Sequence, residues 1–176
     1  MDYFNQFRIL FKTLADGEHQ YIYIIDESFF ENYEMSEIKK GNIKIVVSLD
    51  KKPTLMSFVF NLEGSVNVMC DRCLDYFDLP ITNQFQMFVK FGEKRIEQTE
   101  EILIIPESDN ELSLTQYIYE YIYLSLPIQR IHPDNEKGYS NCNPLFLEKL
   151  KEFSKSDKKK EETDPRWEIL NNIKLN

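Results

Sequence analysis

Two long runs of alternating apolar and polar residues, hinged at Cys70-Asp71-Arg72-Cys73, constrain this chain more than any other feature of it. In the run at Leu55–Met69, Phe58, Phe60 and Leu62 share one face. In the second run, Phe85, Met87, Val89 and Phe91 oppose Gln84, Gln86 and Lys90. A period of two with one apolar face is a half-buried strand, so two strands are expected on either side of a cysteine-bearing turn. Gly64 sits inside the first run, where a bulge or sharp bend is the usual cause.

The rest of the chain reads as a strand-rich body with late helices. Residues 6–11 and 20–26 are short β-branched and aromatic runs separated by Ala15-Asp16-Gly17, and are expected to pair. Ser28 is placed to cap a short helix through Tyr33, Gly41-Asn42 opens a strand over residues 43–49, and Lys51-Lys52-Pro53 reads as a turn. Residues 102–105, apolar on both faces, suit a more central strand. Ser113-Leu114-Thr115-Gln116 fits a capping box, after which Leu114, Ile118, Tyr121, Ile122 and Ser125 fall on one helical stripe that Pro127 ends. The alternation of Tyr117, Tyr119, Tyr121 and Tyr123 would also suit a strand. Asn143-Pro144 starts another short helix, through Lys151, by cap and first-turn proline. Residues 154–163 are all polar or charged and are expected to be mobile. Asp164-Pro165-Arg166-Trp167 repeats the cap-and-proline start for a last helix.

At 176 residues and 42% hydrophobic, the chain can bury one ordinary core. The expected fold class is α+β, a mainly antiparallel and barrel-like sheet with a few helices packed on one side and a short C-terminal helix. The expected division is a single β-rich domain over residues 1–150, a flexible charged linker over 151–163 and the helix over 164–176.

Charge is unevenly spread. The formal net charge is -9, and residues 96–129 contain no Lys or Arg, while Glu97, Glu100, Glu101, Glu107, Asp109, Glu111 and Glu120 are all acidic. From Lys149 to Lys160 the sign reverses. Phosphate recognition needs a basic face, so a protein partner or a pre-assembled ribonucleoprotein is expected ahead of naked RNA. No continuous apolar stretch is present in residues 1–14, and residues 112–126 are too short and too polar to span a bilayer. With three cysteines and no export signal the expected location is the cytoplasm, where thiols stay reduced, and neither a membrane nor a small-molecule substrate is expected.

Cys70 and Cys73 on one turn, with His132 and Cys142 from a second loop, would complete a tetrahedral Cys3His zinc site. All four positions would be filled by protein, so the zinc would be structural. Two other readings stand beside it. The cysteines can be plain buried small residues, or Cys70 and Cys73 can serve a thiol-based redox or metal-sensing regulator. Redox chemistry of this spacing wants a helix N-terminus after the first cysteine. Here the sequence after Cys73 reads as a strand, and Asp71 and Asp75 oppose a thiolate. No triad signature, Gly-rich phosphate loop or calcium-loop spacing is found, and His19 reads as a solvated turn residue. A non-enzyme is expected.

Three segments carry a resemblance. Glu63-Gly64-Ser65-Val66 leading into Cys70-Asp71-Arg72-Cys73-Leu74, then Tyr119-Glu120-Tyr121-Ile122-Tyr123-Leu124-Ser125-Leu126-Pro127, then Asp164-Pro165-Arg166-Trp167-Glu168-Ile169-Leu170 resemble, in order and spacing, the YceD family, over roughly residues 40–173. Its members are described as large ribosomal RNA accumulation proteins. The resemblance implies a cytoplasmic, non-catalytic factor for accumulation of large-subunit ribosomal RNA, with a large-subunit precursor, a ribosomal protein and rRNA as partners. It marks Cys70, Arg72, Cys73, Glu120, Pro127, Asp164, Pro165 and Arg166 as positions of interest; His132 and Cys142 come from the metal argument alone. Arg72 on a metal-fixed turn can present its fork to a phosphate or carboxylate, or form a structural salt bridge. Asp164 and Pro165 suit helix capping. Arg166 and Trp167 suit an interface anchor, with Trp167 folded back into the core as the competing view.

Overall fold

The computed structural model describes residues 3–33, 35–134 and 140–156. Residues 1–132 make one compact unit and residues 133–176 a second.

The first unit is built on a mixed six-stranded sheet. Its strands are β2 (Gly17–Ile25), β3 (Lys40–Lys51), β4 (Leu55–Met69), β5 (Tyr76–Gly92), β6 (Ile96–Thr99) and β7 (Ile102–Pro106). Their order is β2-β3-β4-β5-β7-β6, and only the β5–β7 pair is parallel. The class is α+β as expected, but the sheet is open. β2 and β6 are its two edges, so the expectation of a barrel-like sheet is corrected. Closure would need these edge strands to pair, and no local pattern of residues specifies that.

The two period-two runs form the centre of the sheet. β4 pairs with β5 over its whole length, from Leu55 opposite Lys90 to Met69 opposite Tyr76. Ile45, Val47, Phe58, Phe60, Leu62, Met87 and Val89 are buried on one face, each worth about 1.5–3 kcal/mol for a large side chain removed from water. The opposite face carries Lys44, Glu63 and Gln84 and stays wet, as one side of an antiparallel sheet can. Gly64 does not mark a bulge. The register runs unbroken through it, opposite Ile43 on one side and Ile81 on the other. Glycine is required there because a Cβ would stand 2.1 Å from the carbonyl oxygen of Asn42 and 2.6 Å from the Cα of Ile43.

Helices cover the buried face. α1 (Glu27–Glu31) contributes Phe29 and Phe30 to the core, and α2 (Thr115–Leu124) contributes Ile118, Tyr121 and Ile122. Tyr121 docks α2: its ring stacks on Phe85 at 4.5 Å between centroids and meets Phe60 edge-on at 5.0 Å. Tyr33 stacks on Tyr119 at 3.9 Å, and the Tyr123 hydroxyl accepts from the backbone N–H of Glu37 at 2.8 Å. Helical spacing thus outweighs the tyrosine alternation in this segment.

Local details depart from the sequence reading in three places. Asp26, one turn edge earlier than Ser28, caps α1 by accepting from the Ser28 N–H at 3.0 Å. No side chain caps α2; the Ser113 hydroxyl bonds Thr115 at 3.1 Å and Gln116 donates to Glu120 instead. Residues 6–11 do not pair with β2. They hold the end of a 3-10 helix, Tyr3–Phe7, then β1 (Arg8–Ile9), which pairs with β8 (Leu112–Ser113), while β2 pairs with β3.

In the second unit, Asp134 and Ser140 form an isolated antiparallel bridge, and α3 spans Pro144–Ser156. The Asn143 side chain accepts from the Leu145 N–H at 3.1 Å, the expected cap. The helix runs on past Lys151, the end read from the sequence. Asp164, Pro165, Arg166 and Trp167, and the rest of the C-terminal segment, lie outside the described residues.

Candidate metal centre

The cysteine turn is the hairpin between β4 and β5. The Cys70 N–H donates to the Asp75 carbonyl at 2.9 Å and the Leu74 N–H to the Cys70 carbonyl at 2.9 Å, which folds residues 70–75 into a tight knuckle. Leu74 completes it at φ 62°, a left-handed conformation uncommon for leucine. The backbone N–H groups of Arg72 and Cys73 both reach the Cys70 sulfur. Burial pushes the Cys70 thiol up, but these donors, joined by the backbone and ring of His132, overcome it and bring the thiol down to about 6. A sulfur surrounded by N–H donors is prepared to act as a thiolate ligand.

His132 faces this knuckle. Its Nδ1 lies 3.4 Å from the Cys73 sulfur, and its ring packs against Phe77 of β5 at 4.5 Å between centroids. The segment before it is clamped to the turn. The Asp71 N–H donates to the Arg130 carbonyl at 2.8 Å, and the Arg130 N–H donates back to the Asp71 carboxylate at 2.7 Å. The Arg130 guanidinium also bonds Glu37 at 2.8 Å. Asp71 therefore has a partner for its charge, and the expected opposition of Asp71 to a neighbouring thiolate does not govern the turn.

Within the first unit, the sulfurs of Cys70 and Cys73 and a ring nitrogen of His132 all lie within 4.8 Å of one another. The three cysteines are buried and free of disulfides, and His132 is half-buried. The Cys142 N–H donates to the Ser140 hydroxyl at 3.1 Å. A tetrahedral zinc with bonds of about 2.3 Å to sulfur and 2.0–2.1 Å to nitrogen places its ligands roughly 3.5–3.8 Å apart. The donor chemistry fits such an ion, and Cys70, Cys73 and His132, three of the four ligands read from the sequence, are brought together in the first unit.

The other residues of interest fall as follows. Arg72 is half-buried on the knuckle between the two cysteines, Glu120 is exposed on α2, and Pro127 lies just beyond that helix. Asp71, Arg130 and Phe77 carry no sequence signal that marks them as parts of the site. Nothing local to Arg130 signals that its backbone meets a turn fifty-nine residues earlier. No helix among the described residues is long and apolar enough to cross a membrane.

Comparison with known proteins gives a family. No curated protein and no solved structure matches the chain. A family model described as large ribosomal RNA subunit accumulation protein YceD matches residues 58–174. The match begins inside β4 and includes Cys70, Cys73, His132 and Cys142. Two-thirds of the chain lies within that match, and the chain belongs to the YceD family.

Proposed function

We propose that this protein is a non-catalytic assembly factor for the large ribosomal subunit, acting in the cytoplasm on a subunit precursor through contacts with a ribosomal protein and with rRNA. The observation that carries the reading is the family match over residues 58–174, whose name gives a role in large ribosomal RNA subunit accumulation. The uneven charge supports protein contacts on the acidic body, with phosphate contacts limited to isolated arginines and the lysine-rich run at residues 149–160.

A structural zinc held by Cys70, Cys73, His132 and Cys142 is part of the proposal. Its chemistry, when bound, is to neutralise the thiolates and cross-link the segments that carry them. The residues around it have separate tasks. The N–H groups of Arg72 and Cys73 hold the Cys70 sulfur, Asp71 and Arg130 fix the approach of His132, and Phe77 supports its ring. A knuckle held in this way keeps Arg72 in one place, where its fork suits a phosphate or carboxylate of the precursor. Asp164 and Pro165 start the C-terminal helix in this reading, Arg166 and Trp167 anchor it to a partner, and residues 151–163 tether it.

Sucrose-gradient sedimentation of lysate carrying the tagged protein, with the RNA in each fraction identified, tests the reading. Co-migration with large-subunit precursors and absence from mature ribosomes is expected. Migration only as a free small protein contradicts it.

A further inference from the structure

A second feature lies away from the cysteines, along one side of α2. A groove of about 460 Å³ runs between α2 and the β6–β7 hairpin, within the ~300–1,000 Å³ range of ligand sites. Glu97, Glu100, Glu101 and Glu120 line it, with the rings of Tyr117 and Tyr121, and no lysine or arginine is among its lining residues. None of the four carboxylates is in an ion pair among the described residues. Arg95 is close enough to Tyr117 to act on it, as are Glu97 and Glu120.

The lining of the groove holds an independent sign that points to a ligand. Tyr121 is 6% exposed, and its hydroxyl is buried with no hydrogen-bond partner. An unpaired buried hydroxyl is costly, and this one is close enough to Glu101, Glu120 and Tyr117 to feel them. A donor entering between those carboxylates would reach the side of the molecule where Tyr121 lacks one.

We propose that this groove docks a basic segment of a protein partner, seating a lysine or arginine side chain among Glu97, Glu101 and Glu120 with its cation beside the ring of Tyr117. Charge complementarity selects the occupant. Four carboxylates repel phosphate, which disfavours RNA and anionic lipid here. They are spread over β6, the following turn and α2, and they do not form a group with converging ligand atoms as the cysteine cluster does, which disfavours a single divalent ion. Tyrosine faces beside carboxylates bind ammonium and guanidinium groups by cation–π and ionic attraction together. The inference deepens the assembly reading, and rests on it, by giving the chemistry of one partner.

The test uses the full chain and a short fluorescent peptide rich in lysine and arginine, followed by anisotropy. The triple variant Glu97→Gln, Glu101→Gln, Glu120→Gln is compared with a charge-matched control, Glu18→Gln, Glu31→Gln, Glu63→Gln, whose positions do not line the groove. The groove variant is expected to lose about tenfold in affinity and the control less than about twofold. Tyr121→Phe is expected to lose about threefold, through the lost acceptor. Equal losses in the two triple variants would show attraction to the net charge alone and overturn the proposal. So would higher probe affinity after Lys158, Lys159 and Lys160 are each changed to Gln, which would assign the groove to the chain's own basic run. Peptide binding does not depend on sedimentation with ribosomal precursors, so failure of the groove and failure of the assembly reading are seen separately.

Discussion

Asp71 and Arg130 are joined by reciprocal hydrogen bonds, the Asp71 N–H to the Arg130 carbonyl at 2.8 Å and the Arg130 N–H to the Asp71 carboxylate at 2.7 Å. Through this pair the chain just before His132 is held against the turn that carries Cys70 and Cys73. Asp71→Ala removes the carboxylate acceptor while leaving every proposed ligand in place. Zinc affinity, measured by competition with a chelating dye, is expected to fall about 10- to 100-fold, as for other groups that orient a ligand from behind. Unchanged affinity would show that the pair does not position His132.

Gly64→Ala is expected to be among the most damaging single changes. The added methyl would meet the β3 backbone at 2.1 and 2.6 Å, and backbone in the middle of a paired sheet has no room to retreat. A loss of more than about 3 kcal/mol in urea denaturation is expected. A change below about 0.5 kcal/mol, the range of an ordinary surface substitution, would mean that β3 and β4 pair less closely here.

Tyr121→Phe should act in the opposite direction. It keeps the ring stacked on Phe85 and removes the unpartnered hydroxyl, so the free protein is expected to gain about 1 kcal/mol of stability. A loss of stability would show that the hydroxyl is satisfied in solution.

Alkaline pH tests the same packing. Burial, reinforced by neighbouring tyrosines, pushes Tyr23, Tyr33 and Tyr121 up to about 12 from 10.0. A raised folded value favours the neutral phenol in the native state. The corresponding stability is fully present below pH 10 and is lost as the pH rises from there through about 12. Tyrosinate absorbance is expected to show these three groups ionising late and together with unfolding. Their ionisation near pH 10 in the folded protein would contradict the packing of α1 and α2.

The sequence displays what is local and hides what is joined at a distance. The β4–β5 hairpin is legible because Phe58, Phe60 and Leu62 alternate with polar residues, and its turn because two cysteines sit two residues apart within it. The buried stripe of α2 is legible from the spacing of Ile118, Tyr121 and Ile122. The pairing of Ile9 with Leu112, the parallel partnership of β5 with β7 and the open edge at β2 are not, since each depends on residues far apart in the chain. Gly64 is visible in the sequence but its role is not, because a glycine needed for close backbone approach and one needed for a bulge look alike there. In the metal cluster, residue types revealed the four candidate ligands. The residues that hold them, Asp71, Arg130 and Phe77, are ordinary in type and become visible only through their contacts.

The most direct test of the zinc-organised knuckle is the zinc-to-protein ratio of the purified full chain, measured by elemental mass spectrometry alongside Cys73→Ser. About one zinc per chain is expected, lost in the variant. Wild-type protein without bound zinc, from cells grown with the metal available, would contradict the proposed centre.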